Sequence, residues 1–169
     1  MWDLRGKGPD RVQTPTAVDY EQVFRDAGPG LWRTVYAFAA GRQAIADDAV
    51  AEAFARALEH AGQIRDPVPW LYRTALRLAT DDLRRERRKA EPDPEQADAA
   101  AAGLGALVPA LRQLSPAQRA AVVLHYEADL PVREVAARMG TTVAAVKVHL
   151  FRGRGRLREL LGREEADDA

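Results

Sequence analysis

From Val143 to Arg158 every charged side chain is basic, namely Lys147, Arg152, Arg154, Arg156 and Arg158, and no acid appears before Glu159. Just upstream, Leu114-Ser115-Pro116-Ala117-Gln118-Arg119 and Val132-Arg133-Glu134-Val135-Ala136-Ala137-Arg138-Met139-Gly140 carry helical patterns. The whole reads as helix, turn, helix, with a basic second member. Such a pair is suited to the major groove of DNA. Pro116 fits a first helical turn with Ser115 as N-cap. Val122, Val123 and Tyr126 are the expected apolar anchors, and Val135, Ala136 and Met139 should point inward. Gly140 supplies a left-handed corner, and Thr141 or Thr142 caps the last helix. On that helix Val143, Val146, Leu150, Gly153 and Leu157 fall on one side. Ala144, Lys147, Val148, Phe151, Arg152 and Gly155 fall on the other, where apolar and basic groups side by side suit base edges.

The 169 residues carry a formal net charge of zero, but the charge is segregated. Arg84 to Lys89 holds five basic residues against Glu86, while Glu91 to Asp98 holds four acids and no base. Two basic blocks separated by an acidic stretch suit two DNA-contacting surfaces. There is no cysteine, which removes disulfides, thiolate nucleophiles and Cys-type zinc sites. His60, His125 and His149 lack metal-ligand spacing, and there is no Gly-rich phosphate loop. No metal, cofactor or small-molecule substrate is expected, and an enzyme reading is poor. No apolar run approaches the ~18 residues of a membrane span, and the N-terminus lacks a signal-peptide core. A cytoplasmic protein without direct membrane insertion is therefore expected.

Residues 1–17 show no period and read as a flexible arm. Helical pattern begins at Asp19, with Val23, Leu31, Val35, Phe38 and Ala39 as its apolar stripe. Gly28-Pro29-Gly30 predicts a break, one helix ending and another starting. Asp47 to Glu59 predicts a helix with Ala46, Val50, Phe54, Ala57 and Leu58 on its buried face and Asp48, Glu52, Arg56 and Glu59 outward. A long helix follows from about Val68 to Lys89. Tyr72, Leu76, Ala79 and Leu83 face the core there, and Trp70, Arg73, Arg77, Asp81, Arg84 and Arg88 lie opposite. Residues 91–103 read as a flexible linker, and helix resumes to about Leu161. No β pattern of useful length occurs. The fold class is all-α: two small helical domains, 18–90 and 104–162, with an acidic tail at 163–169.

These motifs resemble a known family. L-S-P-A-Q-R, then E-V-A-x-x-M-G, then V-K-x-x-L-x-R-G-R is similar to region 4 of the sigma-70 superfamily in its extracytoplasmic-function (ECF) type. Asp48 to Leu58 resembles region 2.2, and Pro69 to Ala75 with Asp81 to Arg85 resembles regions 2.3 and 2.4. The chain departs from the pattern at Ala51, Arg77, Ala144-Ala145 and Val148-His149. The C-terminal stretch is also similar to the helix-turn-helix of LuxR-type regulators, so an autonomous LuxR-type regulator is the alternative. A receiver domain would need parallel strands, and the N-terminal half offers none.

The resemblance implies an alternative sigma factor whose partners are core RNA polymerase, through its β′ clamp helices and β subunit, promoter DNA and an anti-sigma factor. Asp48, Glu52 and Arg56 would meet polymerase. Trp70, Arg73, Arg77, Arg84 and Arg85 would handle the −10 element, and Lys147, Val148, Phe151 and Arg152 the −35 element.

Overall fold

The structure is a computed structural model that describes residues 18–89 and 107–167, with side chains to residue 162. Every element among them is helical. The arm 1–17 and linker 91–103 lie outside the described residues. Of the acidic tail, only backbone to Asp167 is described.

The N-terminal lobe is three helices: α1 (Tyr20–Phe38), α2 (Gln43–Glu59) and α3 (Pro67–Lys89). Asp19 caps α1 by accepting from the Glu21 and Gln22 amides at 3.0 and 3.1 Å. The expected break at Gly28-Pro29-Gly30 does not occur, because α1 runs through with Pro29 inside it. Pro29 lies on the exposed face, where the missing amide faces solvent. Leu31, Val35 and Phe38 bury fully on the other side and hold the helix in line. Each such side chain contributes about 1.5–3 kcal/mol by leaving water, enough to offset the lost bond.

Helix α2 begins four residues before the expected Asp47. Arg42 at its N-cap makes no side-chain capping bond, so no cap residue marked that start. Ile45 and Ala46 nevertheless bury there. Leu58, expected inside, is 60% exposed. Ala57 takes the core position beside it. Trp32 donates its indole N–H to Asp47 at 2.7 Å, tying α1 to α2.

The C-terminal lobe contains α4 (Leu107–Arg112), α5 (Pro116–Val122), a π-helical turn at Val123–Glu127, α6 (Val132–Met139) and α7 (Val143–Asp167). Ser115 caps α5 in a reciprocal box with Gln118. Tyr126 is not an anchor: it is 54% exposed, and the wide π turn puts Val123 and Leu124 in the core instead. Gly140 takes φ 66, ψ 40 at the α6–α7 corner. Thr142 accepts from the Ala145 amide at 3.1 Å and so caps α7.

The two lobes pack against each other. The Arg138 guanidinium of α6 lies over the Tyr72 ring of α3 at 4.4 Å, and that of Arg119 of α5 over Phe38 at 4.9 Å. Glu127 meets Arg33 at 3.8 Å and the Thr34 hydroxyl at 3.5 Å.

Candidate nucleic-acid interface

The face of α7 follows from how its other side is seated. Val146 and Leu150 bury completely or nearly so under α5 and α6. Gly153 continues that seat. A Cβ there would stand 2.9 Å from Val122 Cγ2, so only glycine lets α7 approach α5 this closely. The opposite face is left to solvent, where Lys147, Val148, Phe151 and Arg152 are all exposed, Phe151 by 74%. Neither Lys147 nor Arg152 has an ion pair among the described residues. The basic run beyond them is put to other use. Arg154 donates to the Tyr126 hydroxyl at 3.4 Å, and Arg156 bonds Gln113 at 3.1 Å and Glu159 at 3.2 Å. The run therefore splits into an outward pair, two arginines that tie α7 to its own lobe, and Arg158, which is exposed beyond them.

The second basic surface lies on α3. Trp70, Arg73 and Arg77 line a cleft of about 900 Å³ between the lobes. Arg56 and His60 reach it from α2, and Arg138, Met139 and Gly140 from α6. Trp70 is half-buried and packs against the core, as its aromatic bulk favours. Arg73 presses on the corner glycine, since its Cδ stands 2.8 Å from where a Gly140 Cβ would be. Arg84 and Arg85 are separate, some three turns further along α3 than Arg73. They pair with Asp81 at 3.7 Å and Asp82 at 2.6 Å. The five expected −10 residues thus form two groups.

On α2, Asp48 and Glu52 are exposed, and Glu52 pairs with Arg56 at 2.7 Å. Arg56 serves two surfaces at once, the outer helix face and the cleft. Sequence reasoning missed three features here. Phe24 packs edge-on against Phe54, ring centroids 5.0 Å apart, yet remains 57% exposed, and Leu58 is exposed on the same helix as Phe54. Arg138 and Arg119 gain aromatic partners from the other lobe, which no local pattern encodes.

Among the described residues no cluster of three His, Asp or Glu side chains is arranged to hold a metal, and no helix is long and apolar enough to cross a membrane.

Comparison with known proteins matches residues 23–89 to sigma-70 region 2 and residues 104–157 to sigma-70 region 4. The ECF RNA polymerase sigma factor BldN of Streptomyces coelicolor is 28% identical, covering 90% of this chain and 64% of its own length. SigE of Mycolicibacterium smegmatis, also an ECF sigma factor, is 30% identical over 89% of this chain and 64% of its own. This chain thus spans somewhat under two thirds of those two relatives. The RNA polymerase sigma factor CarQ of Myxococcus xanthus is 31% identical, covering 75% of this chain and 80% of its own. Among solved structures, CnrH in complex with the cytosolic domain of CnrY matches with TM-score 0.68 and 25% identity, covering 85% of this chain and 88% of that one. RpoE of Bartonella quintana in complex with the anti-sigma factor NepR matches with TM-score 0.66 and 21% identity, over 85% and 97%.

Proposed function

The chain belongs to the sigma-70 family in its extracytoplasmic-function branch, and on that footing we propose that it is an alternative sigma factor, binding core RNA polymerase and directing initiation at specific promoters. The observation that carries the DNA half of this reading is the exposed face of Lys147, Val148, Phe151 and Arg152 on a helix seated by Gly153. A guanidinium can take two acceptors of a guanine edge, and Phe151 and Val148 can meet a thymine methyl. Lys147 neutralises phosphate. The LuxR-type alternative finds no support, since residues 23–89 form three helices and match region 2.

On α3, Trp70, Arg73 and Arg77 are placed to receive −10 bases pulled from the stack, since guanidinium and indole both offer stacking surfaces. Arg84 and Arg85 exchange exposed acids for phosphates at little cost, because such pairs are worth under ~1 kcal/mol. Asp48 and Glu52 meet a basic surface of polymerase, with Arg56 beside them.

The packed arrangement is not the one that reads a promoter. The Arg73 side chain is exposed but leans on Gly140 of the other lobe, which narrows its approach to a base. The −10 and −35 elements also lie about 25 base pairs apart, roughly 85 Å of duplex. The lobes therefore separate on engagement. CnrH, the quarter-identical structural neighbour, is seen with the cytosolic domain of a partner protein. By analogy an anti-sigma protein holds this chain in its packed form. It acts in the cytoplasm and performs no covalent chemistry; polymerase supplies that. Run-off transcription with core polymerase on a promoter library tests the reading. Promoter-selective transcripts that vanish in Lys147→Ala/Arg152→Ala support it. Failure to bind core polymerase would overturn it.

A further inference from the structure

Where α1 ends, the chain turns through Ala39, Ala40 and Gly41, with Ala40 at φ 53 and Gly41 at φ 82. Arginines from both lobes meet at that corner. Arg42, at the start of α2, pairs with Glu86 at 3.1 Å and donates to the Ala39 carbonyl at 3.4 Å. Arg112 of α4 donates to the Ala40 carbonyl at 3.5 Å. Arg119 of α5 lies over the Phe38 ring and is only 1% exposed. Pro116, Ala117 and Ala120 of the same helix line the cleft between the lobes, so this face of α5 is turned toward the N-terminal lobe.

Arg119 is the one charged side chain that is buried among the described residues. Its Nε and Nη1 are closed to water and have no hydrogen-bond partner among them, and no ion pair reaches it there. The charges that act on it share its sign. Burial first, and then Arg87, Arg42 and Arg112, hold its guanidinium down at about 10. Two of those three, Arg87 and Arg42, belong to the other lobe. In exchange for its water Arg119 gains the Phe38 ring, whose attraction for a cation is smaller than the cost of drying one. Parting the lobes returns this face of α5 to water and takes Arg119 away from Arg87 and Arg42. The cost therefore falls on the packed form. Arg138 differs: it is only half-buried over Tyr72, so its charge keeps part of its hydration while the ring contact holds the lobes together.

We propose that Arg119 is a built-in opposition to lobe packing, a desolvated charge that keeps the packed form of the free protein easy to open. Arg138 closes the lobes, and Arg119 limits how firmly they close. The inference concerns the free protein and stands apart from promoter choice.

The chain has no cysteine, so Ala44→Cys and Ala137→Cys, on exposed positions of α2 and α6, take a dye pair at defined places. Energy transfer in the full chain, read across a urea series so that neither form saturates, gives the ratio of packed to open molecules. Arg119→Met keeps the apolar stem and removes the charge, and is expected to raise that ratio roughly tenfold. Arg87 is exposed, so Arg87→Glu disturbs no core and sets an opposite charge across the interface. It should raise the ratio about threefold, and this gain should vanish when Arg119→Met is also present. A lower ratio in Arg119→Met overturns the proposal and makes the Phe38 contact a clamp. An unaltered ratio overturns it as well. If Arg119→Met does not fold, Arg87→Glu decides alone, and no gain there overturns the proposal. A gain from Arg87→Glu that persists without Arg119 overturns Arg119 as the seat of the opposition.

Discussion

Lys147 and Arg152 on α7 stand in solvent without an ion pair among the described residues, whereas Arg73 on α3 presses against Gly140 and Arg77 shares a cleft with Arg138. Both helices carry basic residues on one face and apolar residues on the other. What differs is the neighbour. Helix α7 spends its apolar side on its own lobe and keeps its basic side free. Helix α3 does the same within its lobe, and its exposed Arg73 and Arg77 front a cleft whose far wall is the other lobe. A surface that is free from the start responds to DNA directly. A surface that fronts a cleft admits a DNA strand only as far as the cleft allows, and where entry needs the lobes apart, apparent affinity falls by the fraction of molecules that are open.

Breaking the open surface should have the largest effect. Arg152→Ala is expected to cost ~1–3 kcal/mol of binding to a −35 site if it reads a base, and Lys147→Ala to lower the salt slope by about one if it touches phosphate. Fluorescence anisotropy across a salt series reads both, and unchanged affinity in the double variant would remove α7 from the DNA interface. Next comes the seat beneath it. Gly153→Val drives a side chain into Val122 and should destabilise the C-terminal lobe by ~1–3 kcal/mol, while α1 to α3 keep their stability. Residue-resolved hydrogen exchange separates the lobes, and equal loss in both would mean they unfold as one unit.

Loosening the far wall of the cleft beside α3 is expected to yield a smaller effect of the opposite sign. Arg138→Ala removes a guanidinium from the Tyr72 ring, an interaction of about 1 kcal/mol. Binding of single-stranded −10 DNA by the free protein should then strengthen by up to about fivefold. No gain would show that the ring contact does not limit access. Smallest of all is the effect on folding of reversing Asp48 and Glu52. It breaks only an exposed pair worth ~0.3–0.5 kcal/mol, so helicity should stay constant while affinity for core polymerase falls. Unaltered affinity would leave these acids merely solvated.

The open surface was the legible one. Its residues repeat with helical period over four turns, so sequence alone separated Val146, Leu150 and Gly153 from Lys147, Phe151 and Arg152. The same periodicity marked Tyr72, Leu76, Ala79 and Leu83 as buried. Local rules failed where position in the fold outweighed residue type. Pro29 read as a break, but it sits on the wet side of a helix pinned by Leu31 and Val35. Leu58 and Tyr126 read as core, but one lies past the edge of the packed face and the other on a π turn that rotates it outward. The joining of the lobes left no local trace. Arg119 meets Phe38, and Arg138 meets Tyr72, across long stretches of chain. Their partners are aromatic rings rather than acids, so charge complementarity could not point to these pairings.

Pro29 has a kinetic consequence as well. Lacking an amide hydrogen, it cannot close the bond to the Arg25 carbonyl, so cooperativity along α1 is interrupted two residues before its fully buried half begins at Leu31. Tyr20 to Gly28 can then open and reclose as a separate unit, while Leu31 to Phe38 stays locked under the neighbouring helices. Amides on the two sides of one continuous helix should exchange with solvent on different clocks, the slow set being those that carry the corner where the lobes meet.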